Sequence, residues 1–83
     1  MELTFKDEAI KDLEYFSRNK SILKRIENLF ISMKQTPFNG IGKPEPLKHE
    51  LSGYWSRRIN SEHRIVYKVK GNEIVIYSMR GHY

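Results

Sequence analysis

The sequence contains no cysteine, no long hydrophobic run and no internal repeat. Without cysteine the chain can form neither a disulfide framework nor a thiolate metal site, which excludes disulfide-stapled domains and cysteine-based zinc modules. No segment approaches the roughly 20 apolar residues that a transmembrane helix needs, and acidic residues occur early, where a signal peptide would be basic. We therefore expect a cytoplasmic protein with no membrane partner.

The patterns that usually bind metals or cofactors are also missing. The three histidines show no HxH or HxxxH spacing. The chain has no phosphate-binding glycine loop and no G-x-S-x-G nucleophile motif. We expect neither a metal ion nor a cofactor.

The length and the charge of the chain limit the number of domains and the kinds of partner that we expect. A chain of 83 residues has room for a single domain, which we place at residues 1–83. Its 15 lysine and arginine residues exceed its 10 aspartate and glutamate residues, and most of this excess falls in residues 43–83. A basic half with interleaved aromatic residues favours a polyanionic partner, with RNA or DNA considered first.

The first half of the chain predicts one strand and two helices. Residues 2–5 (ELTF) are typical of a short strand, and the acidic Asp7 and Glu8 then suit the positive end of a helix. Apolar side chains at helical spacing form two stripes, separated at Asn19, and both stripes are expected to pack in the core. The stripes comprise Ala9, Ile10, Leu13 and Phe16, then Ile22, Ile26, Leu29, Phe30 and Met33.

All three prolines fall in the segment 36–51, through which we expect no regular element to run. Pro44 and Pro46 flank Glu45 and stiffen the backbone on both sides of it. The carboxylate of Glu45 is therefore presented from a rigid segment. Residues 46–49 are compatible with one helical turn that has proline at its first position.

After Gly53 the apolar period changes to two, which predicts strands over residues 54–60, 63–69 and 73–80. Short polar turns separate these strands, so they should form an antiparallel meander. The predicted order of elements is β-α-α-β-β-β. This is an α+β domain in which two N-terminal helices pack on one face of a small antiparallel sheet.

The number of residues in the first turn of the meander decides which side chains share a face. With an odd number, Arg58 pairs with Arg64 on a polar, cationic face that suits phosphate, and Trp55 and His63 lie on the opposite, apolar face. With an even number, Arg58 and Arg64 separate. The spacing alone leaves both possibilities open. In the odd case the cationic face carries Tyr54, Ser56, Arg58, Arg64, Val66 and Lys68.

Four side chains have properties that metal-independent RNA cleavage requires. A base must take the proton from a 2′-hydroxyl, a cation must stabilise charge on the phosphoryl oxygens, and an acid must protonate the leaving 5′-oxygen. Glu45 is the candidate base, Arg58 and Arg64 are candidate cations, and His82 is the candidate acid. Each of the four could instead be an ordinary solvated surface group. The sequence alone favours this explanation for Glu45 and His82, and it does not decide between the two explanations for Arg58 and Arg64.

Further residues of the second half fit either a catalytic or a purely binding role. Lys48 and His49 could add positive potential beside Glu45 or transfer protons themselves, and Tyr83 could stack on a base. A basic module that occupies RNA or the ribosome without chemistry, through Arg58, Arg64 and Lys48, is the alternative function.

The segments GKPEPLKH, SGYWSRRI and EHRIVY, followed by a terminal His-Tyr, closely resemble the YoeB/Txe group of the RelE-like toxins of bacterial type II toxin–antitoxin systems. The likeness covers nearly the entire chain. It is loose over the two predicted helices and specific from Thr36 onward. The resemblance implies a compact microbial ribonuclease fold and cleavage of messenger RNA in the ribosomal A site.

The resemblance also implies roles for individual residues. It places the general base at Glu45, the transition-state arginine at Arg64 and the general acid at His82. Other positions of the family's site match Lys48, His49, Arg58 and Tyr83.

The resemblance further implies partners. These are the 70S ribosome with its messenger RNA, and a cognate antitoxin of the YefM/Axe kind. Such an antitoxin typically folds an acidic or amphipathic C-terminal segment over the toxin, and the basic second half of the chain suits such a segment. A homodimer is also compatible with the family.

Overall fold

The computed structural model describes residues 1–81, so the predicted roles of His82 and Tyr83 lie outside the described residues. In this range the elements follow the order β1-α1-α2-β2-β3-β4-β5, with a 3₁₀ turn between β2 and β3. The helices are α1 (Asp7–Tyr15) and α2 (Lys20–Gln35). The strands are β1 (Glu2–Phe5), β2 (Glu45–Pro46), β3 (Trp55–Arg58), β4 (Arg64–Lys70) and β5 (Glu73–Ser78). The predicted α+β class is confirmed.

Both predicted helices form, and most of their apolar side chains contribute to the core. The core cluster takes Ala9 from α1 and Ile26, Leu29 and Met33 from α2. The break between the helices is an N-cap, because the Asn19 side-chain oxygen accepts a hydrogen bond of 3.0 Å from the third helical N–H of α2. Neither helix within residues 1–81 is long and apolar enough to cross a membrane.

The expectation that Ile10 packs in the core is wrong. Its side chain is 47% exposed, whereas Asp12 is buried at 3%. The buried face of α1 follows Ala9, Asp12 and Phe16, which are three and four residues apart, and Ile10 lies to one side of it. A charged residue therefore occupies a position that hydrophobicity alone would not place in the core.

The sheet has five strands in the order β1-β5-β4-β3-β2, with the predicted meander β3-β4-β5 at its centre. The expectation of a wholly antiparallel sheet is wrong at one edge, where β1 runs parallel to β5. A hairpin forces neighbouring strands to be antiparallel, but β1 and β5 lie far apart in sequence and are joined by no hairpin. Nothing local in the sequence determines their relative direction.

The segment 36–51 contains more regular structure than expected. Glu45 and Pro46 form the short edge strand β2, in which Glu45 is opposite Ser56 of β3. Proline is tolerated here because an edge strand leaves one side of its backbone unpaired. The predicted helical turn over residues 46–49 is also displaced, since a 3₁₀ turn begins only at His49 and ends at Leu51.

The register of β3 and β4 is the odd-turn case, and it pairs Arg58 with Arg64. The helices and the apolar side chains of the core cover one face of the sheet. The other face carries no helix, and we call it the open face. Its side chains include Glu45, Tyr54, Ser56, Arg58, Arg64, Val66 and Lys68, together with Val75 and Tyr77 of β5.

The buried carboxylate of Asp12 joins α1 to the end of the sheet. Its Oδ2 atom accepts a hydrogen bond of 2.7 Å from the backbone N–H of Met79, which follows β5 and is fully buried. A buried N–H without a partner is destabilising, so this contact holds the chain where it leaves the sheet.

We predict that Asp12→Ala lowers the free energy of unfolding by about 1–3 kcal/mol, because the Met79 N–H loses its acceptor. Asp12→Asn, which keeps an acceptor oxygen, should lose less. Urea denaturation measures both changes. Glu14→Ala, an exposed substitution on the same helix, is the control and should stay within about 0.5 kcal/mol. Equal losses for the alanine and asparagine variants would contradict the proposed contact.

Candidate active site

Glu45 and Arg64 form an ion pair on the open face. The Nη1 atom of Arg64 lies 2.5 Å from Oε1 of Glu45, and it also donates a longer hydrogen bond of 3.4 Å to Oγ of Ser56. Three neighbouring strands supply the three side chains. The register places Glu45 beside Ser56 and Ser56 beside Val66, two residues from Arg64, so side chains distant in sequence meet here.

The pair is accessible to a ligand. The side chain of Arg64 is 19% exposed and that of Glu45 is 55% exposed. A salt bridge with one partner this open to water contributes little to stability, about 0–1 kcal/mol. An anion that binds Arg64 can therefore displace the carboxylate at small cost.

Arg58 lies directly opposite Arg64 in the pairing of β3 with β4. Its side chain is exposed, and its backbone N–H donates a 2.7 Å hydrogen bond to the carbonyl of Gly42. Like charges directly opposite each other in a sheet repel, so a bound anion would relieve the repulsion between these arginines. The two guanidinium groups are suited to a phosphate.

Lys48 and His49 lie where β2 ends and the 3₁₀ turn begins, and both are exposed. His49 has a positive φ of 58°, which a non-glycine residue adopts only at some cost. Among residues 1–81, neither side chain makes a hydrogen bond or ion pair with Glu45. Both residues thus follow Glu45 closely in the chain without bonding to its carboxylate.

The chain that follows β5 returns to the start of β4. The N–H of Arg64 donates a 2.9 Å hydrogen bond to the carbonyl of Gly81, and the N–H of Gly81 donates one of 2.9 Å to Nδ1 of His63. His63 therefore presents an unprotonated Nδ1, and its ring also contacts that of Phe16 with centroids 5.0 Å apart. The odd-turn case placed His63 on the apolar face, and its contact with Phe16 confirms this. His82, the next residue after Gly81, is outside the described residues.

The sequence reasoning missed Arg57, which is fully buried. All three nitrogens of its guanidinium group donate hydrogen bonds to uncharged oxygen atoms. Within residues 1–81 no carboxylate forms an ion pair with it. Its Nη atoms donate to backbone carbonyls of the 36–42 loop and to Oγ of Ser32, and its Nε donates to the hydroxyl of Tyr67. The carbonyl acceptors belong to Thr36, Asn39 and Ile41. Arg57 thus shapes the loop that leads to Glu45.

Tyr67 of β4 also holds the 36–42 loop in place. Its hydroxyl accepts from Arg57 and donates a 2.8 Å hydrogen bond to the carbonyl of Pro37. Burial raises the pKa of Tyr67, although the neighbouring guanidinium group acts in the opposite direction. The phenol therefore stays protonated and keeps its role as a donor.

Two glycines allow the loop to approach this cluster closely. Gly40 and Gly42 have φ of 111° and 84°, which side chains other than glycine rarely adopt. A Cβ atom on Gly40 would collide with Oγ of Ser32, and one on Gly42 would lie 2.5 Å from a methyl group of Leu29. The loop can pack here only because both positions lack a side chain.

A signal for Arg57 was present in the sequence. Arg57 stands between Trp55 and Ile59 at alternating positions, so strand parity places it on the apolar face. A charged residue at a core position needs buried partners. The 36–42 loop, for which no regular element was predicted, supplies these partners through its backbone carbonyl groups.

Comparison with known proteins gives consistent matches over the full chain. A family model described as the YoeB-like toxin of bacterial type II toxin–antitoxin systems matches residues 5–83. A protein named toxin YoeB from Synechocystis sp. is 51% identical over 84 aligned positions, covering 100% of this chain and 98% of the relative. Two solved structures from Staphylococcus aureus are each 46% identical and cover 100% of this chain and 98% of theirs. They are a YoeB dimer, with a TM-score of 0.91, and a YoeB–YefM complex, with a TM-score of 0.89.

We predict that Arg57→Leu lowers the free energy of unfolding by about 2–5 kcal/mol, because several buried acceptors lose their donor together. The adjacent Arg58→Leu is the matched control. Its exposed side chain should change stability by no more than about 0.5 kcal/mol. Urea denaturation followed by circular dichroism measures both, and similar values for the two variants would refute the role assigned to Arg57.

Tyr67 should also make stability depend on pH in the alkaline range. Because folding raises its pKa, the stabilisation from the neutral phenol is fully present below pH about 10 and is lost as the pH rises through the folded-state value. The stability advantage of the wild type over Tyr67→Phe should therefore shrink as the pH rises above about 10. Urea midpoints of both proteins across that range test this, and a constant difference would contradict it.

Proposed function

The chain belongs to the family of YoeB-like toxins of bacterial type II toxin–antitoxin systems, and from that premise we propose that it is a metal-independent endoribonuclease. It inhibits translation by cleaving messenger RNA in the ribosomal A site. The observation that carries this proposal is the accessible Glu45–Arg64 pair, together with the Gly81 carbonyl bound to the Arg64 backbone.

In the proposed reaction Glu45 is the general base. Its carboxylate takes the proton of a ribose 2′-hydroxyl, and the 2′-oxygen attacks the adjacent phosphorus in line. The bond between phosphorus and the 5′-oxygen breaks, leaving a 2′,3′-cyclic phosphate on one fragment and a 5′-hydroxyl on the other. The rigid edge strand β2 favours this role because it holds the carboxylate in one place.

Arg64 stabilises the additional negative charge that develops on the phosphoryl oxygens. In the free protein its guanidinium group is held by Glu45. When a phosphate arrives, Arg64 can bind it and release the carboxylate, which then becomes free to accept a proton. Arg58, opposite Arg64, adds a second positive charge for the same phosphate.

His82 is the proposed general acid that donates a proton to the leaving 5′-oxygen. Support comes from its place in the sequence, one residue after Gly81, whose carbonyl is bound to Arg64. Tyr83 is proposed to support the site, as are Lys48 and His49.

The proposal extends to partners and location. The relative from Staphylococcus aureus forms a complex with YefM, and another structure of it is a dimer. We propose a YefM-like antitoxin as the cognate inhibitor, a second copy of this chain as a dimer partner, and the ribosome with its messenger RNA as the target. Such a target requires a cytoplasmic location.

We predict that Glu45→Gln and His82→Ala each lower the rate of messenger RNA cleavage by about 10²–10⁴-fold, because each removes one proton transfer. Cleavage is measured by primer extension on messenger RNA after expression of each variant. Arg64→Lys should also lose activity, since lysine cannot bind phosphate in bidentate geometry.

The control for these variants is Glu62→Gln, an exposed carboxylate in the β3–β4 turn, which should cleave normally. Unchanged cleavage in both Glu45→Gln and His82→Ala would refute the mechanism. If the wild type blocks translation without cutting RNA and His82→Ala blocks it equally well, the chain acts as a non-catalytic binding module instead.

A further inference from the structure

A second group of side chains lies on the open face, beyond the Glu45–Arg64 pair. It contains Tyr54, Tyr77, Lys6 and Lys68, and we call it the tyrosine–lysine cluster. The rings of Tyr54 and Tyr77 have centroids 4.7 Å apart and are tilted by 53°. No role in the proposed reaction uses any of these four residues.

Each ring of the cluster has an ammonium group over it. Nζ of Lys68 lies 5.3 Å from the Tyr54 centroid, and Nζ of Lys6 lies 5.7 Å from the Tyr77 centroid. These distances are near the outer limit of about 6 Å for a cation–π contact, where the attraction is weak. Both lysines can therefore leave the rings for an anion without much loss.

The cluster and the catalytic pair share one surface. Tyr54 precedes Ser56 by two residues on the same face, and Lys68 follows Val66 by two. Two residues of a strand span about 7 Å, so the cluster begins one short step along the sheet from the pair. The backbone between them is held by a 2.9 Å hydrogen bond from the Leu47 N–H to the Tyr54 carbonyl.

Tyr54 remains uncharged at neutral pH. A hydrogen bond with Tyr77 and partial burial raise the pKa of Tyr54, while Lys68 and Lys70 act in the opposite direction. Aromatic rings flanked by two ammonium groups can approach a phosphodiester chain without repulsion. Between the cluster and the pair, the floor of the face is formed by the buried side chains of Ser56 and Val66.

We propose that the tyrosine–lysine cluster is a binding site for the nucleotide next to the scissile phosphate, with its base on the tyrosine rings and its phosphate between Lys6 and Lys68. This inference rests on the proposed function for the identity of the strand. A base offers a flat π-surface that aromatic side chains bind irrespective of sequence. An acidic peptide would use the two cations but would leave the paired rings without a partner.

The test measures binding, so it needs no cleavage. The probes are a dinucleotide and a longer single-stranded oligoribonucleotide, each with hydrogen in place of the 2′-hydroxyl at the scissile position. Fluorescence anisotropy gives the dissociation constants for the wild type and for Tyr77→Leu, which keeps apolar bulk over the sheet but removes the ring. A second variant, Lys68→Gln, changes only an ammonium group and avoids any effect on packing.

We expect Tyr77→Leu to weaken binding of both probes by roughly 5- to 100-fold, because each contains a nucleotide next to the scissile phosphate. Lys68→Gln should reduce the salt dependence of binding by about 0.7 in log–log slope, the value for one phosphate contact on a single strand. The matched controls are Tyr15→Leu and Lys24→Gln, on the helices at the opposite side of the sheet, and neither should change binding.

Unchanged affinity of Tyr77→Leu for the longer probe, with an unchanged salt slope for Lys68→Gln, would overturn the proposal. It would also be overturned if these variants weakened only the binding of an acidic peptide, which would assign the cluster to a protein partner. Neither result depends on catalysis. Primer extension with the wild type and His82→Ala decides the proposed function separately.

Discussion

The fold depends on one buried guanidinium group. Arg57 lies on the core side of β3, and its hydrogen bonds reach the end of α2, the 36–42 loop and Tyr67 of β4. A buried charge is tolerated only when its donors are satisfied, and here every partner is a neutral oxygen. The loop must therefore adopt the one shape that brings its carbonyl groups to Arg57, and this shape delivers β2 to the sheet edge.

The site follows from that constraint. Once β2 pairs with β3, Glu45 is beside Ser56, and the register of the meander brings Arg64 to the same place. The helices cover the other face, so the open face keeps Glu45, Arg58 and Arg64 accessible to solvent. One face of the sheet packs against the helices, and the other face carries the proposed binding site.

The end of the described chain is held by contacts of a different kind. Asp12 accepts from the Met79 N–H, His63 accepts from the Gly81 N–H, and Arg64 donates to the Gly81 carbonyl. These three hydrogen bonds use a helix, a turn and a strand to fix a segment that has no regular structure of its own. They hold the described end of the chain beside the backbone of Arg64, the first residue of β4, whose side chain belongs to the site.

Much of the fold was predictable because it depends on local periodicity. The two helices, the break between them at Asn19 and the three-strand meander follow from apolar spacing and turn residues. The chemistry of the residues made Glu45 and Arg64 candidates for the site, and the resemblance to a toxin family implied their roles. The parallel edge of β1, the short strand β2 and the role of Arg57 were decided only by the tertiary structure. The physical reason is that local patterns record which face of an element is apolar, whereas pairing between distant segments and the satisfaction of a buried charge depend on which groups meet in space.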